Sequence, residues 1–407
     1  MNKNREKLYE LAFRYRKTRL WQKVYEDMPF GVQLEDGEIA YCVVMGRMGQ
    51  HIAIAAYVGD SGYLSYRFLY DHNSDDLNEI ELGMMISCQN CLQCSFENKD
   101  MLEDDEFYEV KNYTAEHNMT LRGKNAFPRF VKYMPGRYPW FYDAEQDTQR
   151  MTTVLSAALA LAQMLEEKKE IGFTYIDEEP DSVPLLTQKK GRWEVNTAVL
   201  PNKEMALPHP LYENELQAAR IRKARKKGEL ICGSMRLPEP VLDDFDDCAP
   251  YYPFVLASVD PVSGLVITPI ITMELEPEEL ITKFADTIAT GLSFVPKTIY
   301  ARDDLCAALL ADFCRKTDIQ LSRDGDFEEL EEAMENMIDS ADDESDDDED
   351  VGRQTVELMM LVDALPDAVL RSMPEELVEL FRHLADDDIL QDHIVHRLQK
   401  ALGRRWE

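Results

Sequence analysis

PFVLASVDPVSGLVITPIITMELEPEELI (Pro253–Ile281) and KTIYARDDLCAALLADFCRKTDIQLSRD (Lys297–Asp324) decide the fold. In the first, two β-branched runs flank Asp260-Pro261-Val262-Ser263-Gly264, which is hairpin-turn chemistry. A helix follows at EPEELI. The second stretch reads as strand, helix, strand, and a further helix runs to Met334. A hairpin followed by alternating helices and strands predicts a compact α/β domain.

Working towards the N-terminus, ELICGSMRL reads as a strand and Glu213–Lys227 as a helix, joined to the hairpin by an acidic, Pro-rich connector. Arg5–Glu26 carries apolar residues at helical spacing. FGVQL, EIAYCVVMG and HIAIAAYVG read as strands, and CLQCSFENK as another. Residues 62–70 suit a helix or a strand equally. LEDDEFYEVKNYTAEHN reads as a helix with an acidic first turn. Ala144–Lys169 is a long helix with an apolar centre, and Asp143 could cap it. FTYIDEE and RWEVNTAVL are late strands, separated by a Pro- and Lys-bearing turn. The prolines of NKEMALPHPLYE mark a boundary. The expected fold class is α+β, with an N-terminal α+β domain over 1–205 and a second α/β domain over 206–340. An acidic disordered linker over 341–353 and a helical tail over 354–407 complete it, because DDESDDDED (342–350) repels itself.

A chain of 407 residues exceeds one ordinary core. A net charge of −34 disfavours general binding to nucleic acid or anionic membrane. The N-terminus lacks the apolar core of a secretory signal. The largely apolar stretch Val154–Ala162 falls short of the ~20 residues a bilayer span needs. The eight cysteines, irregularly spaced, read as reduced thiols. The expectation is a cytoplasmic protein with a protein partner, no membrane and no assignable cofactor.

Several residue groups carry chemistry. Asp260, Asp303 and Glu328 (or Glu329) follow strands or open a helix. In ribonuclease H-like folds such carboxylates hold two divalent metals, so they are the candidate catalytic set. The structural reading of each is a turn residue, a helix N-cap and a solvated helix face. Cys88, Cys91 and Cys94 have the short spacing of zinc or iron–sulfur ligands, although Cys91 and Cys94 would point to opposite faces of a strand. Arg129, Arg137 and Trp140, in the aromatic loop 127–142, could line a pocket for an anionic ligand, or the loop could pack its own aromatics over the core. Six cations among Arg220–Lys227 could touch phosphates, but no aromatic is interleaved for base stacking. They also suit a helix C-terminus, or pairing with the acidic linker. His383, His393 and His396 form a sparse metal motif. No phosphate-cradling Gly-rich loop, nucleophile elbow or His-Glu-x-x-His is present.

KLYELAFRYRKTRLWQKV with DGEIAYCVVMGRMGQHIAIAAYVG, LRGKNAFPRFVKYMPGRYPW, and the two stretches quoted first resemble a family of uncharacterised bacterial proteins, mostly from Firmicutes, that combines two domains of unknown function. The resemblance covers residues 1 to 335. It implies a bacterial cytoplasmic protein of two modules and carries no activity to transfer. The leading functional expectation is a non-enzymatic binding or adaptor protein. The alternatives are a metal-dependent nuclease-like domain and a small-ligand sensor that uses the aromatic loop.

Overall fold

Strands β2 (Ile39–Met45) and β3 (Ile52–Val58) are apolar at almost every position because both faces of their sheet are covered. The computed structural model describes residues 2–72, 78–142, 144–201, 206–241, 249–292, 294–345 and 400. Contacts divide the chain into residues 1–335, which hold both sheets, and residues 336–407.

The first sheet has eight strands in the order β6-β5-β4-β3-β2-β1-β7-β8. Besides β2 and β3 these are β1 (Phe30–Gln33), β4 (Cys91–Glu97), β5 (Phe127–Tyr133), β6 (Trp140–Phe141), β7 (Ser182–Lys189) and β8 (Arg192–Val199). Neighbours are antiparallel except β1 and β7. One face, carrying Cys42, Ile54, Cys94 and Phe130, packs against α1 (Lys3–Thr18), α4 (Asp104–Glu116) and α5 (Glu145–Glu166). Alternate residues on the other face, including Tyr41, Ala55, Tyr57 and Cys91, pack against Tyr63 and Tyr66 of α2 (Gly59–His72). The ambiguous segment 62–70 is therefore helical. A short helix, α3 (Glu79–Ile86), follows behind a full capping box of Asn78 and Glu81.

Three expectations are corrected. The aromatic loop 127–142 contains strands β5 and β6. The first helix stops at Thr18, because Arg19 turns into the left-handed region at φ 51°. FTYIDEE is not a strand: Ile176–Glu178 is a single tight turn, and the strand is β7. Pro184 lies within β7, where it pairs with Thr197 of β8 and immediately precedes Leu185 and Leu186, the two residues that pair with β1.

The second sheet has the order β11-β10-β9-β12-β13: β9 (Glu229–Arg236), β10 (Phe254–Asp260), β11 (Leu265–Thr272), β12 (Thr298–Ala301) and β13 (Gln320–Ser322). The antiparallel β9, β10 and β11 meet a parallel β12 and β13, as the hairpin and the helix–strand alternation predict. Helices α6 (Glu215–Lys223), α7 (Pro277–Asp286) and α8 (Asp304–Thr317) supply Ile221, Phe284 and Phe313 to one core face. On the other face, Leu330 and Met334 of α9 (Glu328–Ser345) fill the space beside Gly233. Residues 341–345, expected to begin the linker, lie in α9. Residues 346–353 and the expected tail, save Lys400, lie outside the described residues. The protein is α+β.

The loop after β5 ties the two sheets together. Gly136 N donates to Ser87 O at 2.7 Å, Tyr252 N donates to Gly136 O at 3.0 Å, and Tyr138 N donates to Pro250 O at 2.8 Å. Gly136 adopts φ +74°, and a Cβ there would come within 2.6 Å of the Arg236 guanidinium. Glycine is the residue this turn demands.

Candidate functional site

The carboxylate set is split across the second sheet. Val259 pairs with Ile231, so Asp260 lies level with Leu230 at the start of β9. Asp303 lies at the other end, accepting from Ser234 N at 2.8 Å and Ser234 Oγ at 2.7 Å. Leu230 to Ser234 is four residues, about 13 Å of strand, against metals about 4 Å apart in a two-metal site. Each acid has local work. Asp260 accepts from Val262 N (3.0 Å) and Ser263 Oγ (2.7 Å) in the turn. Asp303 caps α8 by accepting from Cys306 N at 2.7 Å. Glu328 is exposed, and it is Glu331 that returns to the sheet, accepting from Arg302 Nε at 3.0 Å. The three residues are not brought together.

The cysteines also separate. Cys94 enters the α1/α5 core and Cys91 the opposite α2 face, as strand alternation requires. Burial pushes the Cys91 thiol up to about 12 and raises Cys88 and Cys94 as well, so none is prepared as a thiolate ligand. Among the described residues, no group of three or more His, Cys, Asp or Glu is placed to hold a metal ion. His383, His393 and His396 lie outside those residues.

The aromatic loop does not converge on a pocket. Arg129 Nε donates to both oxygens of the buried Glu106 carboxylate, at 2.9 and 3.0 Å. Arg137 stacks 3.7 Å over the Tyr251 ring, donates to Ala249 O at 2.9 Å and pairs with Glu274. It belongs to the joint between the sheets. Trp140 is exposed on the short edge strand β6.

A neighbouring residue of that loop does line a cleft. Lys132 opens into a concavity of about 650 Å³ at one end of the first sheet, with Glu38, Asp60, Asn90, Asp147 and Arg150. Asp147, 5% exposed, receives Lys132 Nζ at 2.9 Å, and Arg150 pairs with Asp36 at 2.7 Å. The Glu38 carboxylate lies over the Cβ-less Gly59, whose φ is +69°. Both cations are committed to carboxylates, so the cleft can hold a polar molecule but offers no prepared nucleophile. These residues lie up to 112 positions apart, from Glu38 to Arg150, and only the strand register gathers them. No local spacing in the sequence announces them.

The most exposed apolar side chains of the second sheet follow its outer edge. Val266, Ile271 and Met273 face solvent on and just beyond β11, and Val262 tops its hairpin. Ile271 is 50% exposed. The outer backbone of β11 has no strand partner among the described residues.

The chain carries two domains of unknown function. Residues 6–180 match the family model of DUF7309, and residues 216–338 match that of DUF6930. The first match spans the sheet from β1 to β6 with its helices; the second spans the five-stranded sheet from α6 into α9. No curated protein and no solved structure matches the chain. No helix among the described residues is long and apolar enough to cross a membrane.

Proposed function

We propose that this chain is a non-enzymatic binding protein that takes an extended segment of a protein partner along β11. The observation that carries the reading is the open edge itself: an unpaired strand backbone beside the exposed Val266, Ile271 and Met273. An added strand gains main-chain hydrogen bonds from such an edge, and alternate side chains gain the apolar contacts. The separation of Asp260 from Asp303, and thiols held protonated by burial, weigh against metal-dependent or thiolate catalysis at the positions the sequence offered. A bacterial cytoplasmic setting accords with the sequence resemblance and with seven described cysteines that are all free.

The test is a fluorescence-anisotropy titration of the full chain with short peptides alternating Val or Ile with Thr. Binding should weaken about tenfold, a loss of about 1.4 kcal/mol, in Ile271→Lys. It should also fail for a peptide with proline at its centre. Binding that ignores both changes removes β11 as the docking edge.

A further inference from the structure

The basic run Arg220–Lys227 adjoins a second groove, apart from the β11 edge, and of its cations Arg220 lines the groove itself. It is a furrow of about 440 Å³ between α6 and the wide turn Thr287–Gly291 that ends the α7 region. Along α6, Leu216 and Arg220 fall one helical turn apart on the groove wall, with Ala224 a further turn on. Leu216 is 67% exposed. The facing wall is Ala289, Thr290 and Val295. Its single carboxylate, Asp286, already receives Gln217 Nε2 at 2.8 Å. That turn is a π-type widening, a distortion that recurs at functional sites.

Charge distinguishes this groove from the rest of the surface. The chain has a net charge of −34, yet six of eight residues from Arg220 to Lys227 are cationic. Among the described residues only Lys226 of that run forms an ion pair, with Asp318 at 3.6 Å. Arg220, Arg222, Lys223, Arg225 and Lys227 are exposed. Helix C-terminal position explains a preference for cations there, but not the exposed Leu216 facing Ala289 and Val295 beside them.

We propose that this groove docks an acidic segment of a partner protein, with apolar side chains against Leu216 and carboxylates on Arg220 and its cationic neighbours. A nucleic acid is the poorer occupant. No aromatic side chain lines the groove for base stacking, its apolar wall would stay uncovered against a phosphate backbone, and the net charge of the molecule repels a long polyanion.

The test uses the full chain and three fluorescent probes at low and physiological salt. One is a twelve-residue Glu/Asp peptide carrying two leucines, one is the same peptide with serines for leucines, and one is an oligothymidylate of equal charge. The leucine peptide should bind most tightly, and more weakly as salt rises. Affinity should fall about tenfold on changing its leucines to serine, and by about the same factor in Arg220→Glu or Leu216→Ser. Both residues are on the surface, and an unchanged urea midpoint confirms that the variants fold. Ile271→Lys should leave this binding intact, which separates it from docking at β11. Equal binding of the serine peptide or the oligothymidylate would reduce the groove to a nonspecific cationic patch and overturn the proposal. So would an unchanged affinity in Arg220→Glu.

Discussion

At the scale of single residues, Asp303 and Arg5 show what sequence can and cannot say. Asp303 precedes an apolar helical run, so its capping role is legible. That it also holds Ser234 across the sheet is not, because β9 and β12 become neighbours only through the fold. Asp303→Ala removes a cap and leaves the buried Ser234 N–H and hydroxyl unsatisfied, and should cost about 2–3 kcal/mol in urea denaturation. Asp260→Asn, in an exposed turn, should cost under about 1 kcal/mol. Equal costs would mean that Asp260 holds more than its turn. Arg5, near the N-terminus, reads as a solvated helix cation, yet it is 4% exposed. It meets both oxygens of Glu109 at 2.9 Å, donates to Tyr142 O at 2.7 Å and lies 4.4 Å from the Phe141 ring centre. Nothing local in the sequence signals this, since its partners lie more than a hundred residues on. Arg5→Met should destabilise by about 3 kcal/mol, because it strands a partly buried carboxylate. Adding Glu109→Gln should recover part of that loss. Strictly additive costs in this double-mutant cycle would show that the two residues are not coupled.

At the scale of elements, the β10–β11 hairpin was legible from turn chemistry and β-branched runs, but its irregularity was not. Leu256 pairs with Ile270 while Ser258 pairs with Ile267, so β11 carries one extra residue, and Pro269 falls in that bulge. The bulge twists β11 and its proline withholds one donor, so an added strand pairs with this edge on either side of Pro269 rather than through it. The same proline chemistry hid β7, where Pro184 made a real strand read as a turn. Periodicity reports burial, whereas the tolerance of a proline depends on whether the ladder asks its nitrogen for a donor. Pro269→Val should restore a donor on β11 and tighten binding of the alternating Val/Ile–Thr peptide in the anisotropy titration. An unchanged affinity would show that the peptide does not pair across the bulge.

At the scale of the whole molecule, the resemblance foretold two modules. The joint between them was misread, because Arg137 and its aromatic neighbours have the composition of a ligand pocket and the geometry of an interface. Composition does not distinguish the two: both gather aromatics and a cation. The buried thiols have a consequence for the entire fold. Burial pushes Cys91 and Cys232 to about 12, and Cys42, Cys94, Cys306 and Cys314 upward with them. An unfolded thiol titrates near about 8.5. Below that value both states hold the proton, and these groups add no pH dependence. Above it the unfolded chain releases protons that the folded chain retains. The unfolded state then binds fewer protons, and stability falls as pH rises towards the folded values. One unit above the unfolded value, each such thiol removes about 1.4 kcal/mol. Tyr63 and Tyr133, also pushed up to about 12 by burial, add to the fall from about pH 10 upward. Urea midpoints should therefore drop steeply between about pH 8 and 9.5, and the Cys91→Ala/Cys232→Ala variant should lose about 2.5 kcal/mol less across that interval than the parent chain. Parallel curves would mean that these two thiols ionise within the folded protein, and that the cores around β4 and β9 admit water.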